Sequence, residues 1–268
     1  MAKIELEHVF YTYPDQPGST PVLHDLSLTI ENGEFLCIVG QSGCGKSTLL
    51  RLLAGLAFPT SGAVRIDGQP VTGPATNRAM VFQNYTLFPW MSARRNVEFG
   101  ILQARPGLNR TETRSIASDV LDQVGMLPHA EKYPFQLSGG MRQRVALARS
   151  LAMDADILLL DEPFGALDTR IRSELQALIE SLYLGTQGKR KTVVFVTHDI
   201  HEAVFLGDRV VYMTPGSISG ILPIELPHPR SGLDAAGTEQ LCAYRRRLLA
   251  CFRGETGDVS CGCGEVAE

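Results

Sequence analysis

Residues 40–48 make the strongest chemical demand in the chain. Gly40-Gln41-Ser42-Gly43-Cys44-Gly45-Lys46-Ser47-Thr48 fits the phosphate-loop pattern GxxxxGK[ST]. Glycines at these places let backbone N–H groups converge on phosphate oxygens. A helix opening near Lys46 turns the positive end of its dipole toward the same anion. Lys46 can hold the β- and γ-phosphates of a nucleotide, and the Ser47 hydroxyl can ligate Mg²⁺. The context matters as much as the pattern. The apolar run Phe35-Leu36-Cys37-Ile38-Val39 precedes the loop, and Leu49, Leu50, Leu52 and Leu53 follow it at helical spacing, which a chance glycine-rich turn would not require.

Two further stretches carry chemistry. Ile157-Leu158-Leu159-Leu160-Asp161-Glu162 is an apolar strand ending in two carboxylates. Buried strands of α/β folds deliver their last residues to the sheet edge where ligands bind. Asp161 can hold Mg²⁺, and Glu162 can orient or deprotonate an attacking water. Alone, such an end is most often just solvated; the phosphate loop in the same chain makes it a candidate. Leu137-Ser138-Gly139-Gly140-Met141-Arg142-Gln143-Arg144 reads as a cap, two glycines that bare backbone N–H groups, and a basic helix. That is a second anion-binding helix N-terminus, or an ordinary N-cap.

The elements that must position these groups follow from the hydrophobic pattern. Residues 4–9 and 26–30 alternate as strands, with a turn cluster at 15–19 between them. Buried strands are expected at 35–39, 157–160 and 192–197, a short strand at 63–66, and helices at 47–56, 111–125, 139–153 and 169–184. Strands alternating with helices predict a parallel sheet covered on both faces, with the helical stretch as an insertion. The expected layout is a first part of the nucleotide-binding core over 1–83, a helical subdomain over 84–150, the rest of the core over 151–215, and a C-terminal extension over 216–268 whose last part is poorly ordered. Composition agrees with a packed domain, since 44% of the 268 residues are hydrophobic and 20% charged. The net charge of −4 gives no global field for nucleic acid, and no nucleic-acid partner is expected. No apolar run reaches membrane-spanning length, and charges stand where a signal peptide would be apolar. The six cysteines (37, 44, 242, 251, 261, 263) form no pair of CxxC units and are expected as thiols, with Cys44 reactive beside Lys46 or else a small packing residue.

The three motifs in this order, with Leu137–Arg144 read as a signature sequence, resemble the ABC ATPases over about residues 3–230. The resemblance implies a RecA-like phosphate-loop ABC ATPase core of α/β class, with an N-terminal antiparallel β region and an inserted helical subdomain. It implies ATP and Mg²⁺ as cofactors. Gln83 resembles the glutamine of the Q-loop, which reaches Mg²⁺ and the attacking water and senses a membrane partner. His198 resembles the switch histidine on the γ-phosphate, and Gly165-Ala166-Leu167-Asp168 the D-loop. Tyr13 resembles the aromatic that stacks on adenine, with Tyr11 as the competing choice. The implied catalytic set is Lys46, Gln83, Glu162 and His198. Mg²⁺ falls to Ser47, Gln83 and Asp161, and the nucleotide to Tyr13, residues 40–48, Ser138, Gly139, Gly140 and Asp168. Family members form head-to-tail dimers in which Ser138 and the Gly140 backbone act on the partner's nucleotide. The chain is thus expected as a homodimer or paired with a second cassette subunit.

A lone cassette without a membrane segment resembles a bacterial importer subunit, held by an integral membrane permease at the cytoplasmic face of the cell membrane and served indirectly by an external solute-binding protein. Tyr85-Thr86-Leu87-Phe88-Pro89-Trp90-Met91, Asp161-Glu162-Pro163-Phe164-Gly165-Ala166-Leu167-Asp168 and Ile221-Leu222-Pro223-Ile224-Glu225-Leu226-Pro227-His228-Pro229-Arg230 are similar to segments of the nitrate/sulfonate/taurine group. Leu87, Phe88 and Trp90 are expected either in a permease groove or in the core. The chain departs from the group at Asp154-Ala155-Asp156 and at Ser217. An exporter or lipid-type ATPase and a non-transport ABC ATPase are the alternatives. Residues 255–268 are expected to be dispensable, and a four-thiolate metal site in the tail is disfavoured by the Cys-x-Cys spacing.

Overall fold

Alternation along the first 30 residues folds as a ribbon with one buried face. In the computed structural model, which describes residues 3–14, 20–84, 86–165, 167–185 and 190–253, β1 (Ile4–Tyr11) pairs antiparallel with β2 (Leu23–Ile30), Ile4 opposite Ile30 and Leu6 opposite Leu28. The 15–19 turn, Tyr85, Ala166 and the 254–268 tail with Cys261 and Cys263 lie outside the described residues. The chain continues through β3 (Phe35–Gly40), α1 (Lys46–Ala54), β4 (Ser61–Ile66), the short β5 (Gln69–Pro70) and β6 (Arg78–Val81). Helices α2 (Ala93–Ala104), α3 (Arg110–Gln123) and α4 (Gly139–Leu151) come next, then β7 (Ile157–Asp161), α5 (Thr169–Leu184), β8 (Thr192–Thr197), α6 (Ile200–Leu206), β9 (Arg209–Thr214), β10 (Ser217–Pro223) and α7 (Ala235–Arg253). The α/β class and the N-terminal antiparallel region agree with the sequence pattern. No helix among the described residues is long and apolar enough to cross a membrane.

The chain divides into two compact units, Met1–Gly73 with Glu180–Glu268, and Pro74–Ile179. In the first, β1 lies between β2 and β4 in an antiparallel sheet of order β2-β1-β4-β5. There β3 runs parallel to both β8 and β9, and β10 pairs antiparallel with β9. Every residue of β3 and of β8 is buried, as continuous apolar runs covered on both faces should be. Helix α1 ends at Gly55, whose φ of 74° lets its N–H and that of Leu56 close on Leu52 and Arg51 carbonyls. In the second unit, β6 and β7 pair in parallel. Helices α2, α3 and α4 pack on one another through Val97, Ile101, Ala117, Leu121, Val145 and Leu147.

Residues 224–230 fold back into the first unit around a buried cation. The Arg230 side chain is 2% exposed. Its guanidinium donates to the carbonyls of Val204 (2.9 Å), Gly207 (2.8 Å) and Leu226 (2.9 Å). Two of these acceptors are the orphan carbonyls at the end of α6, where a cation also meets the negative end of the helix dipole. His228 Nδ1 pairs with Glu180 at 2.6 Å, and its Nε2 stands 3.4 Å from Asp208. The Arg230 N–H donates to Glu180 at 2.6 Å, and Tyr183 and the Phe35 N–H donate to Asp208. Two cations thus face two carboxylates. Burial disfavours charge on His228, but the Asp208 and Glu180 carboxylates outweigh it and raise its pKa. Burial likewise opposes charge on Glu180 and Asp208, yet their hydrogen bonds, led by His228, hold both below their usual values.

Removing the guanidinium leaves buried carbonyls without their donor and takes one of the two cations away from Glu180 and Asp208. Arg230→Ala should therefore destabilise the protein by about 3–5 kcal/mol in chemical denaturation. Arg230→Lys should recover little, because an ammonium cannot reproduce the planar fork. A second measurement concerns pH. The His228 contribution is complete below the unfolded value of 6.5 and lost as pH rises through the raised folded value. Those of Glu180 and Asp208 are complete above 4.5 and 3.8 and lost as pH falls through their lowered folded values. Thermal melts of His228→Gln should lack the alkaline decline of the wild type and keep the acid one. Parallel curves from pH 6 to 9 would place the alkaline decline elsewhere.

Candidate functional site

The phosphate loop is shaped by close approaches as much as by glycine's freedom. A Cβ on Gly40 would lie 2.5 Å from the Met213 carbonyl oxygen, and one on Gly45 would lie 2.6 Å from Leu23 Cδ2. Gly45 caps α1 with a φ of 107°, a conformation L side chains rarely adopt. Lys46, only 6% exposed, folds its ammonium back onto the carbonyls of Gly40 (2.8 Å) and Gln41 (3.0 Å). Gln41, Ser42 and Gly43 face solvent, Ser47 is half-buried and Thr48 buried in the first turn of α1. Tyr13, half-buried, shares a 2.9 Å hydrogen bond with the Thr48 hydroxyl and meets Tyr11 edge-on at 5.2 Å. Tyr11 itself is 7% exposed, so of the two rings Tyr13 is the one presented beside the loop. His198 is exposed at the end of β8, and Asp199 caps the helix that follows. Thr197 just before it donates to the buried Glu202 carboxylate at 2.6 Å and accepts from the Asp199 N–H.

The second unit brings the other candidates together. Asp161, 5% exposed, closes β7. Glu162 follows with a φ of 47°, a left-handed backbone that costs a side-chain-bearing residue about 1–2 kcal/mol. Gln83 Nε2 donates to Glu162 Oε2 at 3.3 Å. Ser138 caps α4 by accepting from the Met141 N–H, and Ser138 and Gly139 stand in solvent with open space around Gly139. Asp168 is spent locally: its Oδ1 accepts from the Arg170 and Ile171 N–H groups at 3.1 Å and caps α5. The segment after Gln83 divides. Leu87 is core, Phe88 packs edge-on against Phe99 beneath the Arg149 guanidinium, and Trp90 is 68% exposed.

Residues 23–165 match the family model described as ABC transporter. The nitrate import ATP-binding protein NrtD of Synechococcus elongatus is 47% identical over 82% of this chain and 80% of its own length. This chain belongs to the ABC transporter family. The bicarbonate transport ATP-binding protein CmpD of Synechocystis is 45% identical over 85% of this chain and 81% of that protein. Among solved structures, the dimeric ATP-binding cassette MJ0796 bound to ADP and Pi superposes with a TM-score of 0.76 at 34% identity, over 84% of this chain and all of that one. The expected ABC ATPase fold and its ATPase class are therefore borne out.

Some working parts of this ABC ATPase escape a sequence reading. Gln143 is fully buried and donates to the Pro163 carbonyl; a glutamine on the otherwise apolar face Val145–Ala146–Leu147–Ala148 was its only signal. The buried Glu202 looks in sequence like a first-turn helix charge. For Cys44 the structure selects the packing role, since it is 1% exposed with its sulfur against Gly40. Peptide mapping after brief maleimide treatment of the folded protein should find Cys44 as unmodified as the fully buried Cys37, and the half-exposed Cys242 and Cys251 labelled well before either. Rapid native labelling of Cys44 would mean that the loop opens readily.

Proposed function

We propose that the chain is the energy-supplying cassette of an importer of the nitrate/sulfonate/taurine type, coupling MgATP binding and hydrolysis to solute passage through a separate membrane permease. The observation that carries this is its identity of 45–47% to cassettes named for nitrate import and bicarbonate transport, over more than four-fifths of the chain. In this reading the chain works at the cytoplasmic face of the membrane, pairs with a second cassette, and serves an external solute-binding protein through the permease. The dimeric MJ0796 cassette supports the pairing. The exposed Trp90 beside Gln83 in sequence supplies the apolar anchor a permease helix would grip.

The chemistry follows from the groups in hand. Lys46 exchanges two loop carbonyls for β- and γ-phosphate oxygens, among N–H groups that Gly43 and Gly45 leave unobstructed. Tyr13 gives adenine an aromatic face, its hydroxyl already held by Thr48. A hydroxyl at Ser47, an amide oxygen at Gln83 and a carboxylate at Asp161 are hard oxygen donors of the kind Mg²⁺ takes, and the bound ion would neutralise phosphate charge. Gln83 donates to Glu162 and so helps orient the carboxylate that takes a proton from the attacking water. His198 meets the γ-phosphate. Ser138 and the Gly139 and Gly140 N–H groups, solvated in the single chain, act on the partner's nucleotide.

Glu162→Gln should bind MgATP normally, accumulate as an ATP-closed dimer and lose about 100-fold or more in turnover, measured as phosphate release. Lys46→Ala should instead weaken nucleotide binding itself. Mixing Glu162→Gln chains with Ser138→Arg chains leaves one composite site with every group intact, so activity should return where neither variant has it alone. Wild-type turnover in Glu162→Gln removes the assignment of the base, and a silent mixture of ATP-closed dimers removes the trans arrangement.

A further inference from the structure

A fully buried amide in α4 has no part in the chemistry above. Gln143 Nε2 donates to the carbonyl of Pro163, one residue beyond Glu162, while its Oε1 finds no hydrogen-bond partner among the described residues. A buried amide half satisfied is a poor choice for stability alone, since an apolar side chain of similar size carries no such penalty. The same helix grips both flanks of Gln83. Ser150 Oγ donates to the Met80 carbonyl at 3.0 Å, and Arg149 Nη2 to the Thr86 carbonyl at 2.8 Å. Helix α4 is itself held rigidly. Gly100 of α2 comes so close that a Cβ would lie 2.8 Å from the Arg149 carbonyl oxygen, and Arg105 Nη2 donates to the Ala152 carbonyl at its far end. One rigid rod therefore carries Ser138 at its tip and, about 7.5 Å further along its axis, the side chain that holds the strained backbone of Glu162.

We propose that Gln143 is a positioning residue: by holding the Pro163 carbonyl it fixes the strained backbone at Glu162 and so aims the carboxylate that serves this chain's own nucleotide. The proposal rests on the reading of Glu162 as the base in the preceding subsection. Loss of the donor lets the Pro163 peptide turn, and with it the orientation of Glu162 and its bond to Gln83.

The test uses Gln143→Leu, which keeps the volume and removes the donor. Its kcat should fall about 10- to 100-fold while KM for ATP stays within about 3-fold, because the acid–base geometry is lost and nucleotide binding is not. Its thermal midpoint should stay within a few degrees of wild type; a core defect would lower it. Mixtures of separately tagged chains separate the route. Gln143→Leu with Ser138→Arg leaves one site with intact Glu162 geometry and an intact Ser138, so activity should return. Gln143→Leu with Glu162→Gln leaves none, and should stay silent. The reverse pattern, both mixtures active, or both silent while the Glu162→Gln and Ser138→Arg mixture is active, overturns the proposal. If that control mixture is silent the trans reading has failed, and wild-type kcat in the Gln143→Leu homodimer then overturns the positioning role separately.

Discussion

The ammonium of Lys46 closing on the Gly40 and Gln41 carbonyls is the contact on which the first unit depends. A loop built to wrap a polyphosphate has its N–H groups turned inward and little of its own to hold them there. Lys46, exposed to only 6%, ties two of the loop's carbonyls together from inside the curl. That places strict demands outward from the loop. The strand that delivers it, β3, must be pinned on both edges, and it is, by β8 and β9. Neighbours must also approach so closely that Gly40 and Gly45 can have no side chain. Cys44 fills the remaining space, which explains a thiol in this loop without invoking its reactivity.

The second unit solves a different problem. Glu162 stands on a left-handed backbone at the end of a buried strand. Such a residue relaxes unless its surroundings over-determine it. Asp161 is buried before it, Pro163 restricts φ after it, Gln143 takes the Pro163 carbonyl, and Gln83 takes one carboxylate oxygen. The strain is thus sustained from several directions at once, and a small shift of any of them moves the carboxylate. A carboxylate held this way can be re-aimed by geometry without any change in its chemistry.

What the sequence made legible follows a physical line. Strands β3, β7 and β8 were readable because full burial turns each into an unbroken apolar run, and β8 begins and ends where the pattern does. Helix α5 spans 169–184 as the pattern predicts. The expected 139–153 helix ends two residues earlier, before Asp154 with its φ of 55°. Helix α2 was hidden because Ala93, Asn96 and Gly100 fill three of its five buried positions, leaving only Val97 and Ile101 as large apolar ones. Asn96 spends its side chain on Phe88, Met91 and Ser92, holding the preceding loop. Strand β10 was obscured by Gly220 and the irregular register beside it. Helix α7 was obscured in its first half, where Gly237 and Thr238 dilute the pattern. The phosphate loop, the Asp161–Glu162 end and the signature were legible because their chemistry is local in sequence. The groups that position them were not, because Gln143 and Pro163 stand twenty residues apart and His228 and Glu180 forty-eight.

The same distinction explains why the cassette speaks clearly about energy and little about cargo. Groups that touch ATP must meet one invariant geometry, so they recur at fixed spacing, and they match relatives named for nitrate and for bicarbonate about equally well. A solute that meets only a permease would impose nothing on the chain that binds ATP. In the segment after Gln83, Trp90 stands exposed. Ser138 and Gly139 stand in open solvent at the N-terminus of α4. Helix α4 runs from that exposed N-terminus to the amide that holds the Pro163 carbonyl beside Glu162, so a single element carries both stretches whose chemistry the sequence announces.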